Sequence, residues 1–205
     1  MPTKNESVHP EKSTAAMDAV EAAVVSMMKK EVLHVPTVRE ISQKSGYSVG
    51  TIYNYFKNMD SVFVYVFLRK QKYILNRLIN VINSHPSNKN SEILIESIFE
   101  GFFRETENLK PVLVRFFVRH FFKTASSPER FNIAIDVLIP PLIQARVRDT
   151  TGTFAIMDEE ELRLLLRGMQ AVVRAPLFEQ NPFFGTQEHK RLAKEVCMRL
   201  FLKRS

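Results

Sequence analysis

The chain has 205 residues, 45% of them hydrophobic and 25% charged, a balance that excludes a disordered, collagen-like or disulfide-stapled protein and fits an ordinary globular one. Its formal charge of +7, with an isoelectric point near 9.6, favours an anionic partner without selecting one. A single cysteine, Cys197, rules out an intrachain disulfide and a cysteine-based metal cage, and no uninterrupted apolar run reaches the length of about 18 residues that a membrane span needs.

The N-terminus MPTKNESVHPEKS is polar, unlike a signal peptide, so the protein reads as cytoplasmic, with no membrane partner. From Ser13 to Lys30, Ala16, Val20, Ala23, Val24 and Met27 recur at the spacing of an amphipathic helix. The stretch from Thr37 to Lys57, TVREISQKSGYSVGTIYNYFK, is the most informative in the chain. Thr37 and Glu40 form a T-x-x-E capping box that starts a helix with Val38, Ile41 and the small Ser42 inward. Gly46 ends it, because glycine takes a left-handed backbone without penalty. Ser48 caps a second short helix that turns Ile52, Tyr55 and Phe56 inward and leaves Val49, Gly50, Thr51, Tyr53 and Asn54 outside. Two short helices crossing closely at a small residue make a helix-turn-helix, a DNA-binding arrangement.

Asn58 caps a fourth helix, with Val62, Val66, Tyr73 and Leu78 on its apolar side, running to about residue 83, where SHPSNKN breaks it. Further helices are expected at about 91–107, 111–123, 128–149, 158–178 and 186–203. Pro111 and Pro128 suit first-turn positions, Asp158 with Glu161 forms a capping pair, and Thr186 caps the last helix. Pro140 and Pro141 predict a kink in the helix that holds them. Residues 152–157 (GTFAIM) and 181–185 (NPFFG) read as loops, and Cys197, near Leu192, Val196 and Leu200, reads as a buried small hydrophobe. The fold class is therefore all-α, with a helix-turn-helix domain at 13–60 and a larger helical domain at 61–205.

TVREIS, the turn glycine and GTIYNYFKN, with its G-T-x-Y-x-Y-F-K pattern running into the fourth helix, closely resemble the DNA-binding domain of the TetR (tetracycline-repressor-like) family of transcriptional regulators. The resemblance covers about residues 13 to 72. It implies DNA contacts from Thr37, Ser48, Thr51, Tyr53, Asn54 and Lys57, the last on a phosphate. Gly50 also fits, because a helix in the major groove needs short side chains near its start. Two positions depart from the common pattern. Val49 stands where many relatives carry a cation, exchanging a guanine contact for apolar contact to a thymine methyl, and Tyr47 replaces a small aliphatic residue.

By the same resemblance the C-terminal helices enclose a small-molecule effector, for which Phe99, Phe102, Phe103 and Phe116 are candidate lining and Arg115, Arg119 and His120 candidate polar anchors. Plain core packing is the competing role for these phenylalanines. Leu162, Leu165, Leu166, Met169 and Val173, with Leu192, Val196 and Leu200, form stripes suited to a four-helix bundle between two subunits, the way the family dimerises. A homodimer would read a palindromic operator. The resemblance thus implies a repressor released from DNA by a small hydrophobic ligand. The alternative is a regulator without such an effector, controlled by a protein partner or acting as an activator. The five histidines have no metal-ligand spacing, no cofactor is implied, and no catalytic motif is present.

Overall fold

A computed structural model of the chain describes residues 10–29, 35–106, 129–155, 157–179 and 181–202. These residues form eight helices: α1 (Pro10–Lys29), α2 (Val38–Ser45), α3 (Val49–Tyr55), α4 (Met59–Ser84), α5 (Ser91–Thr106), α6 (Glu129–Arg148), α7 (Glu159–Phe178) and α8 (Gln187–Phe201). The expected helix at 111–123, with Pro111 and Pro128, lies outside the described residues. The described residues up to Arg69 form one compact unit and those from Lys70 onward another.

Local chemistry starts most of these helices. The α4 start is closed reciprocally, the Ser61 amide donating to Asn58 Oδ1 at 2.9 Å and the Asn58 amide to Ser61 Oγ at 3.1 Å. Asp158 and Glu161 exchange the same pair of bonds at 2.8 and 2.9 Å, and the Thr186 hydroxyl accepts from the His189 amide at 3.1 Å. Proline at α1's first position moves that helix's start to Pro10, three residues before the expected one.

In the first unit α1 packs on α2 and α3. The stripe read from sequence, Ala16, Val20, Ala23, Val24 and Met27, is buried with Ile41, Ile52, Phe56, Val62, Phe63 and Val66. Arg69 of α4 reaches α1, its Nη2 2.8 Å from Asp18 and its Nε 2.9 Å from Glu21. Exposed pairs like these contribute at most about 1 kcal/mol each.

In the second unit α5 packs on α8, and α7 on both α6 and α8. Its core runs from Ile82 through Leu94, Ile95, Phe99 and Phe103 to Ile139, Leu142, Leu162, Leu166, Val173, Cys197 and Phe201. Residues 152–155 and 157 are mostly loop, as expected, but Phe154 forms one antiparallel bridge with Leu202. Asp149 organises the loop by accepting from the Thr151 amide and hydroxyl and from the Thr153 and Phe154 amides. Burial alone would raise its carboxyl, yet these hydrogen bonds outweigh it and hold the group below its usual range.

Two expectations change. Tyr73 is exposed and lies under the Lys70 ammonium, 4.8 Å from its ring centre. It shares the helical phase of Val62 and Val66, but beyond Arg69 the buried stripe of α4 is Leu75, Leu78 and Ile82. Cys197 is buried as expected but beside Ala193 and Phe201, whereas Leu192, Val196 and Leu200 face outward. As expected, Pro140 and Pro141 lie inside α6, which runs from Glu129 to Arg148. The carbonyls that lose a donor belong to Asp136 and Val137, both exposed, so water can serve them.

Candidate nucleic-acid interface

The α2–α3 pair is built almost wholly from its own side chains. Thr37 has the extended backbone of an N-cap. Its amide and hydroxyl both donate to the Glu40 carboxylate, at 2.8 and 2.7 Å, while its Oγ1 accepts from the Glu40 amide at 3.3 Å. Gly46 closes α2 at φ 77°, where a side chain would be strained, and its amide donates to the Ser42 carbonyl at 3.1 Å. The Ser42 hydroxyl then donates to the Tyr47 carbonyl at 2.7 Å, and the Tyr47 amide to Ser45 Oγ at 3.4 Å, so both ends of Tyr47's backbone are held.

Ser48 caps α3 by accepting from the Thr51 amide at 3.0 Å, and its hydroxyl lies 2.8 Å from that of Thr51. Whichever hydroxyl donates, one proton of the pair stays available to an outside acceptor such as a phosphate oxygen. Gly50 has no left-handed backbone, and a Cβ built on it would meet only Ser48 Oγ at 3.8 Å. The protein's own packing therefore does not need glycine there. Tyr53 is 45% exposed, Asn54 and Lys57 are exposed, and Val49 and Thr51 are half-buried. Beneath them Ile52 and Phe56 are sealed in the core, with Phe56 edge-on to Tyr65 at 5.4 Å.

Arg39, Lys44 and Lys57 of this segment form no ion pair among the described residues, whereas its one carboxylate, Glu40, is engaged by the cap. The segment thus presents positive charge, hydroxyls, an amide and a phenol on a small-residue surface, the groups that hold phosphates and read base edges. Arg39 and Lys44 are absent from the contacts that the resemblance implies, although their exposed phase on α2 follows from the same helical periodicity that places Ile41 inside.

Residues 27–66 match the family model for bacterial regulatory proteins of the tetR family. The helix-turn-helix segment is thus similar to the DNA-binding region of TetR-family transcriptional regulators. Solved structures agree at the level of the fold along the whole chain. A TetR-family regulator from Marinobacter aquaeolei VT8 is 17% identical over 96% of this chain and 100% of its own, with a TM-score of 0.59. A putative TetR-family regulator from Mesorhizobium loti MAFF303099 is 15% identical over 94% and 98%, at 0.60. One from Haemophilus influenzae Rd is 15% identical over 95% and 100%, at 0.55. No curated protein matches the chain.

The other sequence-derived candidates divide. Phe99 and Phe103 are buried and Phe102 half-buried, with ring centres 6.1 Å (Phe99–Phe103) and 5.6 Å (Phe102–Phe103) apart, as in a packed core. Arg115, Phe116, Arg119 and His120 lie outside the described residues. Leu162, Leu166 and Val173 are buried in the chain's own core, and Leu165 and Met169 pack against it. Leu192, Val196 and Leu200 are about 40% exposed along one side of α8. Among the described residues no helix is long and apolar enough to cross a membrane, and no cluster of His, Cys, Asp and Glu could hold a metal ion.

Proposed function

We propose that this regulator is a homodimeric repressor that grips a palindromic operator through α3 and lets go when a small, largely apolar ligand occupies its second unit. The observation that carries the DNA half is the outer face of α3, where Tyr53 and Asn54 stand exposed beside the Ser48–Thr51 hydroxyl pair and a glycine that nothing within the protein requires. A helix of seven residues reads only a few base pairs, which is a reason for two copies. The exposed stripe Leu192, Val196 and Leu200 supports a partner subunit on α8. By contrast Leu162, Leu166 and Val173 belong to the fold of each protomer and do not contribute to that surface.

The test is to sequence genomic DNA that co-purifies with the protein and measure affinity for the recovered fragment against random duplex. Tyr53→Ala is expected to cost on the order of 1–3 kcal/mol on the recovered fragment and far less on random DNA. Equal affinity of mutant and wild type would remove α3 from readout. Deleting the gene is expected to raise expression from the recovered promoter, and a fall would make the protein an activator.

A further inference from the structure

Helices α6 and α7 of the second unit border a groove of about 510 Å³, within the range of about 300–1,000 Å³ usual for small-molecule sites. Its apolar surface comes from one side of α6, where Ile139 is buried, Ile143 half-buried and Pro140 exposed. Asp136 and Gln144 extend the same side by one turn in each direction, and both are exposed. Across from them stand Glu159 and Arg163 of α7, also one turn apart.

The polar groups of this groove are mostly acceptors. Arg163 turns all three of its nitrogens toward carboxylates, Nη1 to Asp136, Nη2 to Glu159 at 3.1 Å and Nε to Glu160 at 3.6 Å. It thereby draws the Asp136 and Glu159 carboxylates to one place. Three carboxylates against one guanidinium leave the cluster two negative charges in excess, on a chain whose total is +7. Pro140 adds an acceptor of another kind. A proline nitrogen carries no hydrogen, so the carbonyl of Asp136, four residues earlier, has lost its helical donor. Water can serve that carbonyl while the groove is open, but an occupant that displaces the water must bring a donor of its own.

We infer that the α6–α7 groove binds a primary ammonium compound with an apolar body. The ammonium is held by the Asp136 and Glu159 carboxylates and the Asp136 carbonyl, and the apolar part lies on Ile139, Pro140 and Ile143. An ammonium carries a positive charge and three donors with no acceptor, which complements a negative, acceptor-rich wall. An anionic ligand meets the excess negative charge instead, and a neutral hydrocarbon strips the carbonyl of water without replacing it. A metal ion is a poorer occupant, since no three acids among the described residues converge as metal ligands. That occupancy changes DNA affinity rests on the ligand-responsive reading above, whereas binding itself does not.

Calorimetry on the full-length protein without DNA compares octylammonium, octyltrimethylammonium, octanol and octanoate below the concentrations at which they form micelles. Octylammonium is expected to bind about tenfold or more tightly than octanol and octanoate. Octyltrimethylammonium, which keeps the charge but has no N–H, should fall between. Asp136→Asn and Glu159→Gln, both at exposed side chains, should each reduce the preference for octylammonium over octanol. Pro140→Ala should reduce it too while raising the melting temperature, because the new amide serves the Asp136 carbonyl and the helix loses a proline. This third variant keeps the test decisive if either acid proves necessary for folding. Equal binding of octylammonium and octanol, tightest binding of octanoate, no binding of any of the four, or a preference undiminished in the three variants would each overturn the site. If octylammonium binds with these dependences but leaves operator affinity unchanged, the effector reading fails for this groove and the site stands. If octylammonium shows no preference while a neutral apolar compound releases operator DNA, the site fails and the effector reading stands.

Discussion

Gly50 shows how stability and binding pull apart at a single residue. Glycine inside a helix costs roughly 0.5–1 kcal/mol relative to alanine, and the site has room for a methyl group with only a 3.8 Å contact to Ser48 Oγ. Gly50→Ala should therefore raise the melting temperature slightly, and, if the outer face of α3 meets DNA as proposed, weaken operator binding through the added methyl. A mutant that is more stable and binds equally well would show that Gly50 does not face DNA. Lys57 tests the phosphate role. It is exposed and outside any ion pair among the described residues, so Lys57→Ala should weaken binding to all sequences alike and reduce the salt slope by roughly one unit. An unchanged slope would leave it a surface charge. Chemistry at Cys197 is not expected to modulate either property, since burial pushes its thiol up to about 12 and keeps it from forming the reactive thiolate.

Helix α8 carries two stripes of the same spacing. His189, Ala193, Cys197 and Phe201 face the chain's own core, while Leu192, Val196 and Leu200 face outward. If the outer stripe meets a second copy, Val196→Asp leaves each protomer folded but places an unpaired carboxylate in the interface, at a cost of several kcal/mol. Sedimentation should then find monomers at concentrations where the wild type is dimeric, with a loss of operator affinity. A dimer of unchanged concentration dependence would move the interface away from α8. The same helix marks where sequence reading stops. Its two stripes could not be sorted by hydrophobicity, since the larger leucines are outside and the small or polar Ala193, Cys197 and His189 are inside. Caps were legible, because Thr37 with Glu40, Asp158 with Glu161, and Thr186 act within one turn of chain. The exposed face of the α2–α3 pair was legible for the same reason, being written within α2, α3 and their turn. The Arg69 clamp was not, as its acidic partners lie 48 and 51 residues away, and Tyr73 could not reveal from its own phase that the buried side of α4 changes beyond Arg69.

At the scale of the whole molecule, the acids and the imidazole with resolved downward shifts, Asp149, Glu188 and His189, all lie in the second unit. His189 is 2% exposed and ringed by Phe103, Phe183 and Phe184 at 5.3 to 5.9 Å. Its Nδ1 accepts from the Gly185 amide at 3.0 Å, so the neutral ring carries its proton on Nε2. Nε2 is enclosed without a hydrogen-bond partner among the described residues, and the ring feels the Val172 carbonyl, whose usual helical donor is missing because the residue four positions on is Pro176. Burial lowers the pKa of the ring from 6.5, with the Val172 carbonyl acting weakly the other way. Protonation would set a second donor against the Gly185 amide and put a positive charge in the first turn of α8, where the helix dipole opposes it. The unfolded chain takes up this proton more readily than the native one, so the contribution of His189 is complete above pH 6.5 and declines as pH falls through the lower native value. Asp149 behaves alike in a separate window, its contribution complete above 3.8 and lost further into acid. The melting temperature should therefore begin to fall just below pH 6.5 and fall again below about 4. In His189→Gln the first decline should shrink while the second remains, and in Asp149→Asn the order should reverse. Melting curves from pH 8 to 3 on the wild type and both variants provide the check, and a His189→Gln profile parallel to the wild type between pH 7 and 5 would show that the buried imidazole does not govern acid stability.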